Sequence, residues 1–292
     1  MTRQVISIKH DIRHEPDLKK RLMTEGFSLN TADYAFWRAQ KDKTTITFYK
    51  SGKLLIQGMN AEFYSQQLFD ATNRFEGLEH IKNLHSWIGT DESGKGDFFG
   101  PLVVAAVYIE KKDLDSLLIA ELQDSKNISD RSIYRFAPLI RKELSYSVIS
   151  IPPHIYNKQY NELQNLNLVL GKAHAESIES ILKQVRCDVV LSDKFGDETY
   201  IDNELGKRDI KVQLLQQTKA EKNPAVAAAS ILAREEFLDQ LSCLGKKYNV
   251  VLPKGATQNV IDAGKEFLRK HGVEKLGYVA KMNFKTTRKI IL

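Results

Sequence analysis

The chain has 292 residues, 42% hydrophobic and 27% charged, with a formal net charge of +6. That balance excludes a disordered polymer, and the longest apolar run, near residues 98–109, is too short for a bilayer and is interrupted by Gly100 and Pro101. The only cysteines, Cys187 and Cys243, stand far apart in no metal-ligand spacing, and the N-terminal stretch lacks an uninterrupted apolar core, so a reduced, cytoplasmic setting without membrane attachment is expected.

In chain order, "QVISIK" alternates as a strand, and "EPDLKKRLMTEG" reads as a helix with Pro16 in its first turn and Gly26 beyond its end. "YAFWRAQ", "TTITFYK" and "KLLIQG" are three more strands, the last two joined by a turn at Ser51 and Gly52. "NAEFYSQQLFDATNRF" closes the unit as a helix with Asn60 as its cap. The order β-α-β-β-β-α predicts a small α+β domain over residues 1–75, with a linker at 76–85. Residues 1–58 hold eleven Lys/Arg against six Asp/Glu, a local +5 that suits a solvated face or a polyanion-binding surface.

Residues 86–292 follow a different grammar. "SWIGTDESG" is a strand running into a glycine-rich turn, "PLVVAAVYIE" a buried strand, and "YSVISIP" a third. The helical pattern "NLVLGKAHAESIESILKQ" follows, then the strands "CDVVLSD" and "IKVQLLQQ". "NPAVAAASILAREEFLDQL" is a helix with Asn223 as N-cap and Pro224 at its first position. This succession predicts an α/β domain built on a mixed sheet flanked by helices.

Chemistry concentrates in "GTDESGKGDFFGP". Residues 89–95 fit the first seven positions of the phosphate-loop pattern G-x-x-x-x-G-K-[ST], but the eighth is Gly96. A phosphate loop needs a helix directly behind it, so that aligned N–H groups face the ligand. Here the continuation "GDFFGPLVVAAVYI" forms a strand, and Asp91 and Glu92 would set negative charge beside the phosphates. Paired carboxylates at a strand end suit a hard divalent ion better, with the turn breaking the pleat so that both face one site. Asp193, ending "VVLSD", and Glu221, just before Asn223, would join them at one sheet edge. A solvated acidic turn is the alternative reading of the same residues.

Together, "GTDESGKGDFFGPLVVAAV", "QDSKNIS", "VVLSD", "TKAEKNPAVAAASILAR" and "LPKGA" resemble the type 2 ribonucleases H in identity and order. Lys95 between two glycines, Glu221 as fourth acid and the Pro-Lys-Gly-Ala stretch are most similar to ribonucleases HIII. The N-terminal unit is likewise similar to the TATA-binding-protein-like domain of those enzymes. The resemblance implies a ribonuclease H-like fold over residues 86–292 and endonucleolytic cleavage of the RNA strand of RNA–DNA hybrids, leaving 5′-phosphate and 3′-hydroxyl ends. It implies Asp91, Glu92, Asp193 and Glu221 as catalytic carboxylates holding two divalent ions, Mg²⁺ or Mn²⁺, about 4 Å apart. Ser93, Gly94, Lys95, Gly96, Ser125 and Lys126 are the implied substrate contacts, the glycines letting backbone approach a 2′-hydroxyl in the wide minor groove. A monomer is expected.

His174 reads as a packed or capping histidine, and Asp197, Glu198 and Glu235 as the nearest competitors for metal. Where ribonucleases HII carry a stacking tyrosine, "LPKGATQ" has none, which argues for longer hybrids over single ribonucleotides.

Overall fold

Strict alternation along "AFWRAQK" sends Ala35, Trp37 and Ala39 inward and leaves Phe36, Arg38 and Gln40 exposed on the other face. The computed structural model describes residues 4–9, 12, 15–69, 84–115, 129–197, 199–218 and 220–292, in two units, Met1–Arg74 and Phe75–Leu292.

In the first unit, β1 (Gln4–Lys9), β5 (Lys53–Gly58), β4 (Thr44–Tyr49), β3 (Ala35–Lys41) and β2 (Ser28–Asn30) form one antiparallel sheet in that spatial order. Helices α1 (Glu15–Thr24) and α2 (Ala61–Phe69) complete it. The core joins Leu18 and Leu22 of α1 to Trp37, Ile46, Phe48, Leu54 and Ile56 of the sheet and Tyr64 of α2. Of the aromatic residues in or next to these strands, Trp37 and Phe48 are core, whereas Tyr34, just before β3, is exposed. The sequence pattern lacks β2, whose three residues are too few to show a two-residue period, yet Leu29 packs against the core. Residues 76–83 of the expected linker lie outside the described residues.

The second unit is a mixed sheet in the order β10–β9–β6–β7–β8. Strand β6 (Ser86–Ser93) pairs antiparallel with β7 (Leu102–Glu110) and parallel with β9 (Val189–Asp193). Strand β8 (Ser145–Ile151) pairs antiparallel with β7, and β10 (Gln213–Gln217) parallel with β9. Between β7 and β9 come α3 (Asp130–Glu143), α4 (Pro153–Leu163) and α5 (Leu166–Leu182). Helix α6 (Thr199–Lys207) links β9 to β10, and α7 (Pro224–Tyr248), α8 (Gln258–His271) and α9 (Thr286–Ile291) follow.

Helices α5 and α7 cover opposite faces of the sheet, and the pleat of β6 decides what each receives. Ile88 packs with Ala175, Ile178 and Ile181 of α5. On the other face, the Trp87 indole N–H donates to Asn223 Oδ1 (3.0 Å), which also accepts from Ala225 N (3.0 Å) as the cap of α7. At Gly89 the helix comes so near that a Cβ would lie 2.3 Å from the Ala225 carbonyl carbon and the Val226 nitrogen. Gly89 is therefore a packing glycine at the α7 N-terminus. Gly89→Ala is expected to lower stability by roughly 3 kcal/mol or more, measured as a lower denaturation midpoint at unchanged m-value.

Candidate active site

The parallel register that sets Thr90 opposite Ser192 brings the C-terminal ends of β6 and β9 side by side, carrying Asp91–Glu92 and Asp193. Asp193 Oδ1 accepts from Ala220 N at 3.0 Å, which anchors the 3₁₀ turn Ala220–Lys222 to β9. That turn carries the backbone of Glu221 into the Asn223 cap; the Glu221 side chain lies outside the described residues. Ser125 and Lys126 also lie outside them.

One expectation is corrected. The β6–β7 ladder continues to the Glu92–Val104 and Ser93–Val103 pairs, so the turn does not break the pleat at the acids. Asp91 faces α7, where the Ser230 hydroxyl hydrogen-bonds it, while Glu92 faces α5 and His174. The two carboxylates leave the strand on opposite sides but stay electrostatically close, and Glu92 N donates to Asp91 Oδ1 at 2.8 Å.

Burial is the first cause of an Asp91 pKa pushed up to about 7, with repulsion from Glu92 and a smaller push from Asp193. The bonds from Ser230 and Glu92 N oppose this without cancelling it. Burial also pushes Glu92 upward, but His174 and Lys95 outweigh it and hold Glu92 below its ordinary value. Glu92 Oε1 lies 3.4 Å from Lys95 Nζ, and Glu92 Oε2 lies 3.4 Å from His174 Nε2. Lys95 is also 5.5 Å from the centre of the Phe195 ring, on which His174 stacks.

This donor set is all oxygen, crowded and negative, which fits a hard divalent ion that keeps water and substrate oxygens in its shell. Among the described residues, no three His, Cys, Asp or Glu side chains close into a metal cage by themselves. The competitors have other duties. Glu235 Oε2 accepts from Arg141 Nε (3.0 Å) and from its terminal guanidinium nitrogen (2.8 Å). Asp197 Oδ1 accepts from the Thr199 N–H and hydroxyl at the start of α6. Glu198 is outside the described residues.

The glycine turn beside the acids is held from beneath. Gly94 has φ +86°, and a Cβ there would lie 2.2 Å from the Pro101 carbonyl oxygen and 2.9 Å from the Phe237 ring. Gly96 faces open space. Asp97 Oδ1 accepts from Gly255 N (2.6 Å), and Phe98 N donates to the Gly255 carbonyl (2.9 Å), clamping the Pro-Lys-Gly-Ala loop to the turn. Lys281, fully buried, donates to the carbonyls of Gly100 (2.6 Å) and Pro101 (3.2 Å). Burial lowers its pKa to about 7, with Asp97 opposing. Sequence reasoning passed over Asp97 and Lys281, because neither stands in a period or motif that marks a role.

The ribonuclease HII family model matches residues 88–287, and a domain of unknown function (DUF3378) matches residues 9–75. Ribonuclease HIII of Protochlamydia amoebophila is 39% identical over 285 residues, 96% of this chain and 95% of that protein. Ribonuclease HIII of Chlamydia felis is 38% identical over 94% of this chain and 93% of its own length. The structure of Bst-RNase HIII in complex with Mn²⁺ superposes with a TM-score of 0.70 at 27% identity, covering 99% of this chain and 98% of that one. Similarity that runs through both units means that the chain belongs to the ribonuclease HIII family and is an endoribonuclease of the ribonuclease H class.

Proposed function

We propose that the protein hydrolyses the RNA strand of RNA–DNA hybrids with two divalent ions, giving 5′-phosphate and 3′-hydroxyl ends. The observation that carries this reading is the set of mutually repelling carboxylates gathered at the ends of β6 and β9, beside a rigid glycine turn. Asp91, Glu92, Asp193 and Glu221 are the residues that would hold the ions, with Asp91 closest to both neighbouring carboxylates by its electrostatics. When bound, Mg²⁺ or Mn²⁺ would activate the attacking water and stabilise the charge that grows on the leaving 3′-oxygen.

The chain's own groups prepare that site. Ser230 and the Glu92 N–H hold Asp91, and the Ala220 N–H holds Asp193, so neither carboxylate need reorganise when a phosphodiester arrives. Attack of water on phosphorus forms the new P–O bond and releases a proton, while the bond to the 3′-oxygen breaks and that oxygen takes up a proton. The turn through Ser93, Gly94, Lys95 and Gly96 is assigned to the RNA strand: bare backbone at Gly96 meets a 2′-hydroxyl, and Lys95 meets phosphate or sugar. Ser125 and Lys126 are proposed as further phosphate contacts. In the first unit, the sheet face carrying Phe36, Arg38 and Lys53 is proposed to bind the hybrid backbone, adding affinity that falls with salt. The protein is proposed to act as a cytoplasmic monomer.

Asp91→Asn is expected to cut turnover by about 10³-fold or more, the equivalent of several kcal/mol of lost metal stabilisation, while hybrid binding survives. Near-normal cleavage by that variant would overturn the assignment. Gly94→Ala should cost roughly 2–4 kcal/mol of stability, whereas Gly96→Ala should stay within about 0.5 kcal/mol and raise KM for the hybrid. An unchanged KM in Gly96→Ala would remove the turn from substrate recognition. The double variant Arg38→Ala, Lys53→Ala should weaken hybrid binding and reduce the log–log salt slope by about one per lost phosphate contact. The same affinity and slope as the parent would discard the binding role of this face.

A further inference from the structure

We propose that His174 is a positioning residue that holds the inner oxygen of Glu92 through a buried Thr90–His174–Glu92 chain. The inference rests on the reading of Glu92 as a metal ligand. Thr90 and Glu92 are two residues apart on β6, so the pleat turns both toward α5, the helix that carries His174. The imidazole is wholly buried. Its Nδ1 lies 2.8 Å from Thr90 Oγ1, and its Nε2 lies 3.4 Å from Glu92 Oε2. Neither Nε2 nor Glu92 Oε2 has a hydrogen-bond partner among the described residues, so each is the other's nearest recourse. Phe195 stacks on the ring at 5.1 Å and 23°, which fixes the plane in which Nε2 points.

Donor and acceptor roles follow from the chemistry. A carboxylate only accepts, so Nε2 carries the hydrogen. In the neutral ring Nδ1 then accepts, and the Thr90 hydroxyl is the donor that keeps this tautomer in place. The outer oxygen, Oε1, faces Lys95 at the rim of the site, where the lysine side chain is 37% exposed. Glu92 is thus gripped from inside by an enclosed ring and from outside by a chain in contact with solvent. His174 fixes the carboxylate's rotation and leaves Oε1 as the oxygen open to a ligand. Partners of this kind behind a metal ligand typically change metal affinity or activity by about 10–100-fold when removed.

The test uses full-length protein and Mn²⁺ alone as the probe, with binding read by calorimetry. His174→Leu is expected to keep its fold and its metal-free affinity for a hybrid, and to bind Mn²⁺ about 10–100-fold more weakly. His174→Gln, which can place an amide N–H near the Nε2 position, should recover much of that loss; packing alone would not distinguish the two. Glu92→Gln sets the scale. If Glu92→Gln loses Mn²⁺ affinity while His174→Leu and His174→Gln bind like the parent, His174 has no positioning role. If Glu92→Gln also binds like the parent, the ligand role of Glu92 fails and this inference falls with it. Nitrogen NMR on the unaltered protein gives a reading that needs no variant to fold. A proton on Nε2 with Nδ1 unprotonated is expected, and the opposite tautomer would overturn the proposal.

Discussion

The contact between the N-terminus of α7 and the bare backbone of Gly89 governs the second unit. With no Cβ at Gly89, the helix reaches the strand closely enough for Asn223 to accept from both the Trp87 indole and Ala225 N. One side chain therefore caps the helix and ties it to the sheet's central strand. Two consequences reach the site: Ser230, two turns into α7, comes to Asp91, and the 3₁₀ turn that ends at the Asn223 cap comes to the end of β9. Moving the helix by even the space of a methyl group would disturb Asp91 and Asp193 together, because close-packed interiors pass on such shifts.

Crowding carboxylates in a partly buried place is unfavourable, and the structure meets that cost locally. Asp91 takes a hydroxyl and a backbone N–H, Asp193 takes a backbone N–H, and Glu92 lies between a lysine and a histidine. The raised pKa of Asp91 marks what these partners leave uncompensated. A hard cation would relieve that residue of repulsion, so the electrostatic strain and the proposed chemistry share one origin. Beneath the glycine turn, Lys281 and Asp97 do for the backbone what those partners do for the acids: they hold the turn and the Pro-Lys-Gly-Ala loop by buried and part-buried bonds.

Much of this was legible in the residues. Alternation marked strands of the first unit, continuous apolar runs marked those of the second, and the Asn223–Pro224 pair marked the start of α7. The strand behind Lys95 was enough to reject a phosphate loop, because β7 takes the place a helix would need. The short strand β2 was missed, since three residues cannot show a period. The expectation that the turn would break the pleat at Asp91 and Glu92 was wrong, because pairing with β7 continues to Ser93. His174 read as a packing residue, since nothing local to α5 reveals what stands opposite it on β6.

The sequence by itself determined the elements, the order of the motifs and the kind of chemistry, since periodicity, caps and carboxylate chemistry are properties of neighbouring residues. Only the tertiary structure decided which face of β6 each acid takes, that Gly89 and Gly94 are demanded by packing, and that Gly96 alone of the three faces open space. It also decided that His174 meets Glu92. Those facts depend on how β6 pairs with β7 and on how α5 and α7 pack against the sheet, which neighbouring residues alone do not fix.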